Sequence, residues 1–157
     1  MREIAPPEAF AGLAEAQSLV VDFEIANSAA FELAFHRDKI SKSFVERAEA
    51  GLAYTAEQYD DALSVMATAR ANLEAAMEGV DALLCPSAPG AAPGDLGATG
   101  DPVFNRMGTA LRAPCVSIPG LSGHSGLPIG VQLIGRIKDD RRTLAVGDWL
   151  HAKLRRR

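Results

Sequence analysis

The sequence predicts an α/β or α+β fold, with three short strands and several helices packed on one face. Three observations carry that expectation. Before residue 81, apolar residues recur at steps of three and four, the period of helices. Between 81 and 135 come three short apolar runs, each bounded by Pro, Gly or Ser. After Gly135 the helical period returns once. The expected organisation is a single domain over 1–157: a helical part at 1–80, strands and a loop at 81–135, and a closing helix at 136–157.

The first helical pattern puts Phe10, Leu13, Ala16, Val20, Phe23, Ala26, Ala30 and Ala34 on one face. Asn27-Ser28 should bend or break it, because both side chains compete for backbone hydrogen bonds. Ser43-Phe-Val-Glu46 matches a capping box, so a second helix is expected to start there and end near Gly51. Thr55-Ala-Glu-Gln58 is another such box. It opens the clearest helix of the chain, with Tyr59, Leu63, Met66, Leu73, Met77 and Val80 on one stripe. Arg70 falls on the same stripe, where its stem would snorkel at the edge of the core. Gly79 then ends the helix.

Asp81-Ala-Leu-Leu-Cys-Pro86 reads as a buried strand closed by a proline. Pro86, Pro89, Gly90, Pro93, Gly94, Gly97 and Gly100 leave no regular element before Asp101. A loop of that length in a compact domain is either functional or mobile. Residues 103–112 read as a short helix. The runs at 114–118 and 129–134 read as an antiparallel pair of strands around a Gly/Ser-rich connection. Asp140 is placed to N-cap the last helix, with Leu144, Val146 or Gly147, Leu150 and Leu154 inward.

Composition narrows the class. With 48% hydrophobic residues in 157, the chain can build a core, yet only 6% are aromatic, so alanine and aliphatics must fill it. The net charge of −4 selects no polyanionic partner, but its distribution is uneven. Residues 1–135 carry 17 acidic and 8 basic side chains, and residues 136–157 carry 3 and 8. That basic end is either a solvated helix terminus or a group that meets an acidic surface of its own chain, a partner or a polyanion. No apolar run reaches the roughly 18 residues of a membrane span, and no signal peptide is visible. A soluble cytoplasmic protein is the expectation, with neither membrane nor nucleic acid as partner. Cys85 and Cys115, both in strand-like runs, are expected as buried free thiols.

Nucleophilic catalysis needs a nucleophile, a base and donors for an oxyanion. Gly120-Leu-Ser-Gly-His-Ser-Gly-Leu127 fails the nucleophile-elbow spacing twice, since His124 follows Ser122 and Leu127 follows Ser125 where glycine is required. His36, His124 and His151 lack metal spacing, so no metal site is expected. Cys115 with His124 would make a thiol nucleophile and its base on one hairpin, although an inert thiol in a strand is the plainer reading. Asp60-Asp61 and Asp139-Asp140 are adjacent and splay apart on a helix. No phosphate loop is present, and no cofactor is expected.

Four segments in one order carry a resemblance: Asp81-Ala-Leu-Leu-Cys-Pro-Ser-Ala-Pro, Thr99-Gly-Asp-Pro-Val-Phe-Asn, Ala113-Pro-Cys-Val-Ser-Ile-Pro and Leu127-Pro-Ile-Gly-Val-Gln-Leu-Ile-Gly. Together they resemble the C-terminal third of an amidase signature family enzyme, and the helical region upstream is compatible with it. The resemblance implies long helices on a small mixed sheet, and a parent enzyme hydrolysing the C–N amide bond of a small substrate through an acyl-serine. The family's serine nucleophile, relay serine and lysine lie in its N-terminal two-thirds. Lys39 and Lys42 do not match that lysine's context. The chain is therefore expected to be a C-terminal fragment, silent by itself and inclined to self-associate through exposed apolar surface. By the same resemblance, Ser87, Thr99 and Asn105 line or shape the substrate cleft. The alternative is that Asn105 caps a helix while Ser87 or Thr99 satisfies loop backbone. A second class of function is a non-catalytic helical interaction module.

Overall fold

A computed structural model describes residues 2–93, 100–124 and 126–155. It divides into two compact units, Pro7–Ala69 and a second made of Met1–Pro6 with Arg70–Arg157. The division falls inside one long helix.

The helical unit begins with a 3-10 turn at Glu8–Phe10, followed by α1 (Leu13–Ser28) and α2 (Ala30–Phe35). The break comes where the sequence places it. Asn27 donates from Nδ2 to the Phe23 carbonyl at 2.8 Å, and Ser28 Oγ donates to the Ile25 carbonyl. These side chains draw on carbonyls of the last turn, and Ala29 separates the two helices. Next comes α3 (Lys42–Leu52). Its N-cap is Ser41, not the expected Ser43: Ser41 holds an extended φ/ψ and accepts the Phe44 N–H. Glu46, freed from a capping role, pairs with Lys42 one turn back. Gly51 is not a terminator either. It lies buried within α3, against α1, where a Cβ would stand 1.9 Å from the Asp22 carbonyl oxygen. Arg47 clasps the Asp22 carboxylate at 2.6 Å beside it.

The fourth helix, α4 (Ala56–Ala76), opens on the expected capping box, closed in both directions. Thr55 N–H donates to Gln58 Oε1 at 2.9 Å, and Gln58 N–H donates to Thr55 Oγ1 at 3.2 Å. Tyr59 stacks on Phe23 of α1 and donates its hydroxyl to Glu24. The buried stripe runs through Ala62, Met66, Ala69, Leu73 and Met77; Leu63, expected on it, is half-buried beside Ala62, and Val80 lies past the end of the helix. Arg70 does more than snorkel, because its Nε donates to the Ala110 carbonyl at 2.7 Å. Gly79, at φ 71°, turns the chain out of the helix.

In the second unit, β1 (Leu83–Pro86), β2 (Cys115–Ser122) and β3 (Pro128–Ile134) form one sheet in the order β1-β3-β2, antiparallel throughout. Thus three antiparallel strands represent here the mixed sheet of the resemblance, and the α/β class stands. The strand at 83–86 lies at an edge and is half-buried, not buried as expected. Pro86 closes it at no cost, since an edge residue needs no inward N–H there. A register break between Ile118 and Leu121 marks the Pro119-Gly120 step of the other edge strand.

Two helices complete the unit: α5 (Val103–Leu111) and α6 (Asp140–Leu154). They flank opposite sides of the sheet rather than one face. Val116, Ile118 and Leu133 share a pleat face, and a Cβ added at Gly147 of α6 would stand 3.2–3.9 Å from all three. Gly108 of α5 meets Cys115 on the other face. The buried positions of α6 are Thr143 and Gly147; Leu144, expected inward, is 55% exposed. Asp139, not Asp140, stands at its N-cap, and no side chain caps it.

Arg136, two residues past β3, reaches the end of α4. Its guanidinium pairs with the Glu74 carboxylate and donates to the Met77 carbonyl at 2.5 Å and the Val80 carbonyl at 3.3 Å. Arg136→Ala removes these charged hydrogen bonds, with the Met77 carbonyl keeping the Val80 N–H at 3.1 Å, and should cost about 2 kcal/mol, read as a lower denaturant midpoint. In the helical unit, Gly51→Ala forces α1 and α3 apart and should cost roughly 2 kcal/mol by the same measurement.

Candidate functional site

The pleat decides which groups meet. On the face toward α5, the pairing aligns Cys85 with Gln132 and Ser117 with Gln132, while Cys115 and Leu83 oppose Ile134. Ser87 continues this row beyond β1, its N–H donating to the Gly130 carbonyl at 3.0 Å. One face of the sheet is therefore apolar, under α6, and the other carries two thiols, two hydroxyls and a carboxamide.

The hydroxyls of Ser87, just past β1, and Ser117, on β2, lie 2.9 Å apart over Gly130 of the central strand. A Cβ at Gly130 would stand 3.1 Å from one hydroxyl and 3.2 Å from the other. Asn105, on the first turn of α5, donates from Nδ2 to the Ser87 carbonyl at 3.3 Å. It is not the helix cap. The N-cap position is Pro102, and Asp101 before it accepts the Val103 N–H on Oδ1 at 2.9 Å. Gln132 is buried and donates to the Phe104 carbonyl at 3.3 Å, which fixes α5 against the sheet.

Of the expected site residues, Ser87 and Asn105 come together through one hydrogen bond. Thr99 lies outside the described residues. Ser117, Gly130 and Gln132 were not singled out by motif. Their signal was the period-two alternation of Cys115-Val-Ser-Ile and Ile129-Gly-Val-Gln-Leu, which places the polar residues together on one face.

The thiols add no nucleophile. Cys115 is exposed, contrary to expectation, and Cys85 is half-buried. Burial raises the Cys85 pKa, offset in part by the Gln132 hydrogen bond. Partial burial of the Cys115 sulfur against Gly108, and then the neighbouring Cys85, raise that of Cys115. His124 lies in the hairpin turn, past the far end of β2, roughly 20 Å from Cys115 at the rise of a strand. The thiol–imidazole pair is thereby ruled out. A disulfide is ruled out as well, because β3 separates the two cysteine-bearing strands. Among the described residues, no group of three or more His, Cys, Asp or Glu side chains gathers to hold a metal. No helix there is long and apolar enough to cross a membrane.

Both pKa shifts have one sign: the folded chain holds these thiols protonated beyond the pH at which a free thiol ionises. Alkylation of Cys115 by iodoacetamide at pH 8 should therefore be slower in the folded chain than in urea. Its rate should rise to an inflection above that of the unfolded thiol. Equal rates in both states would contradict the shift.

The family model named Amidase matches residues 3–144. The A-type subunit of glutamyl-tRNA(Gln) amidotransferase from Synechococcus sp. (strain CC9902) is 30% identical over 159 residues, spanning 91% of this chain and 32% of that protein. A crystal structure of an amidase superimposes with a TM-score of 0.87 at 31% identity, over 97% of this chain and 37% of its own. A structure from a study of the origins of an s-triazine catabolic enzyme shares the fold, with a TM-score of 0.84 at 22% identity over 97% of this chain and 36% of its own. The chain spans about a third of the length of the curated relatives it matches. With the match covering nearly all of its residues, this chain belongs to the amidase signature family.

Proposed function

We propose that this chain is the part of an amide-hydrolysing enzyme that walls the substrate cleft. In this reading the C–N bond of a small amide is cut through an acyl-serine intermediate. Ser87 and Asn105 face the substrate, and Thr99 is assigned to the same wall. The nucleophile and its bases belong to polypeptide outside these 157 residues, so the chain alone is inert. One observation supports the reading above others: a neutral, hydrogen-bonded polar face at Ser87 and Asn105, in a chain of the amidase signature family.

Such a wall suits amide chemistry. A small substrate is held by a few placed polar groups on a rigid scaffold, and here Asn105 sits on a helix while Ser87 directly follows a strand and is tied to the sheet by its N–H. The relatives' reactions do not select the substrate, because specificity is a property of the whole cleft.

A second reading, an interaction module that associates through apolar surface, draws on other residues. Phe31 and Phe35 are 61% and 69% exposed and pack on one another along α2, and Trp149 of α6 is 62% exposed. Isolated exposed side chains are ordinary, but an aromatic pair one turn apart is a common anchor for partners.

Ammonia release from a panel of simple amides separates the two readings. The 157-residue chain should show no turnover above buffer, while a longer polypeptide carrying it should release ammonia and accumulate an acyl-enzyme. Turnover by the chain alone would overturn the proposal. An inert long form that binds a partner protein would favour the module.

A further inference from the structure

We infer that Arg70 of α4 and Arg112 at the end of α5 form a binding site for one small dianionic oxyanion of the sulfate or phosphate type. The site is separate from the polar face and independent of the amidase reading. Asn105 lies on the first turn of α5, whereas Arg112 closes that helix.

Three observations carry the inference. First, the two guanidiniums are brought to one place. Arg70 is half-buried, and its Nε donates at 2.7 Å to the carbonyl of Ala110, two residues before Arg112. Burial, and then the charge of Arg112, lower the Arg70 pKa from the ordinary guanidinium value, so the two cations bear on one another. Second, nothing around them neutralises them. Among the described residues no carboxylate pairs with either one, and Glu74, one turn past Arg70 on α4, is committed to Arg136. Third, arginine stands at 112 against its own backbone. The residue holds φ 53°, in the left-handed region, at a helix end where glycine is the usual occupant. Its N–H donates to the Gly108 and Thr109 carbonyls, bonds that a glycine would make equally well. A strained residue kept beside an unneutralised like charge points to a role for its side chain.

The ligand class follows from charge and donor geometry. Arg70 has spent its Nε–H on Ala110, which leaves the N–H groups of its two terminal nitrogens. Among the described residues no hydrogen bond engages the Arg112 fork, and that residue is exposed. A tetrahedral oxyanion has oxygens for both guanidiniums, and its two charges balance theirs. A monovalent carboxylate leaves one positive charge over. The carbonyl end of α5 opposes an anion with the equivalent of about half an elementary charge, against two full charges in its favour. Bound there, the oxyanion replaces repulsion between α4 and α5 with a bridge, and it steadies the helix that bears Asn105.

The test is a titration of the 15N-labelled 157-residue chain with sodium sulfate at constant ionic strength, followed by NMR, with sodium acetate as the control. Sulfate should shift the Arg70 Nε–H signal and the backbone amides of Arg112 and Ala113 along one saturable curve. The dissociation constant should be on the order of 1 mM, a strength open to a ligand of five heavy atoms. Acetate, with half the charge, should bind roughly tenfold more weakly. Arg112→Gly should abolish the saturable shift. Without sulfate it should also melt higher than the wild type, by roughly 2–4 °C, because the left-handed strain and the like charge are both relieved. Sulfate should then raise the melting temperature of the wild type more than that of Arg112→Gly, in which only the general stabilising effect of the salt remains.

A wild-type chain with no saturable shift at these signals would overturn the inference. So would acetate binding as tightly as sulfate, an Arg112→Gly chain that still saturates, or equal gains in melting temperature in the two chains. Turnover enters none of these outcomes, so the amidase reading stands or falls on the ammonia assay alone.

Discussion

The guanidinium of Arg136 sets the register on which the polar face depends. The chain leaves α4 at Ala76 and turns through residues 77–80 just before it must enter the sheet. Arg136 leaves β3 at that point and brings a planar fork of donors to the Met77 and Val80 carbonyls and the Glu74 carboxylate. The exit of α4 is thereby held beside the end of the central strand. Gly79 turns the chain there, and Leu83 pairs with Ile134, two residues before Arg136. From that pairing the rest follows, with Cys85 opposite Gln132 and Ser87 against Gly130. Side chains alternate faces along a strand, so a slip of one residue would carry Ser87 to the α6 side and dissolve the hydroxyl pair.

The uneven charge of the chain finds part of its explanation in the same region. Of the basic residues after 135, Arg136 pairs with Glu74 and Arg142 with Asp81 at 2.5 Å. The basic end thus meets acidic groups of its own chain, one of the outcomes that composition left open. The two contacts differ in weight. Arg136 is mostly covered and serves backbone carbonyls as well, whereas Arg142 and Asp81 are each more than half exposed, a setting in which an ion pair adds little.

What could be read in the sequence was what is local. The Thr55–Gln58 box is a matter of four consecutive residues, and both of its hydrogen bonds form. The Asn27-Ser28 break and the Gly79 turn are equally local. The capping box at Ser43 misled because Ser41, two residues earlier, has the extended φ/ψ that a cap requires, and by position 43 the chain is already helical. The inward face of α6 shows a different failure. Leucines at 144, 150 and 154 suggest one phase, but the helix seats by its smallest residue, Gly147, on Val116, Ile118 and Leu133. That phase buries Thr143 and exposes Leu144, a choice made by the sheet rather than by the helix. Ser87 and Asn105 were visible through the family resemblance, yet their mutual hydrogen bond is a tertiary fact. Ser117 could be found only by adding strand alternation to a pairing that the sequence does not state.

Two departures from local preference lie on the polar face. Glycine is a poor residue for the middle of a central strand, where it has no side chain to pack and gives up more backbone freedom than any other. Gly130 occupies such a place, and Gly108 sits inside α5, where alanine would favour the helix by about 1 kcal/mol. Each glycine is explained by what a Cβ would strike. At 130 it would be the two hydroxyls, and at 108 the Cys115 sulfur, 2.3 Å away. The side under α6 makes such concessions too, at Gly147 and at Gly135, where a Cβ would strike Thr143, and gains a packed apolar core from them. The polar face gains no comparable apolar burial: its glycines clear room for hydroxyls and a thiol. Sequences that give up stability in this way do so where a constellation of side chains must be held in place. A purely structural sheet would have placed a β-branched residue at 130 and closed the gap.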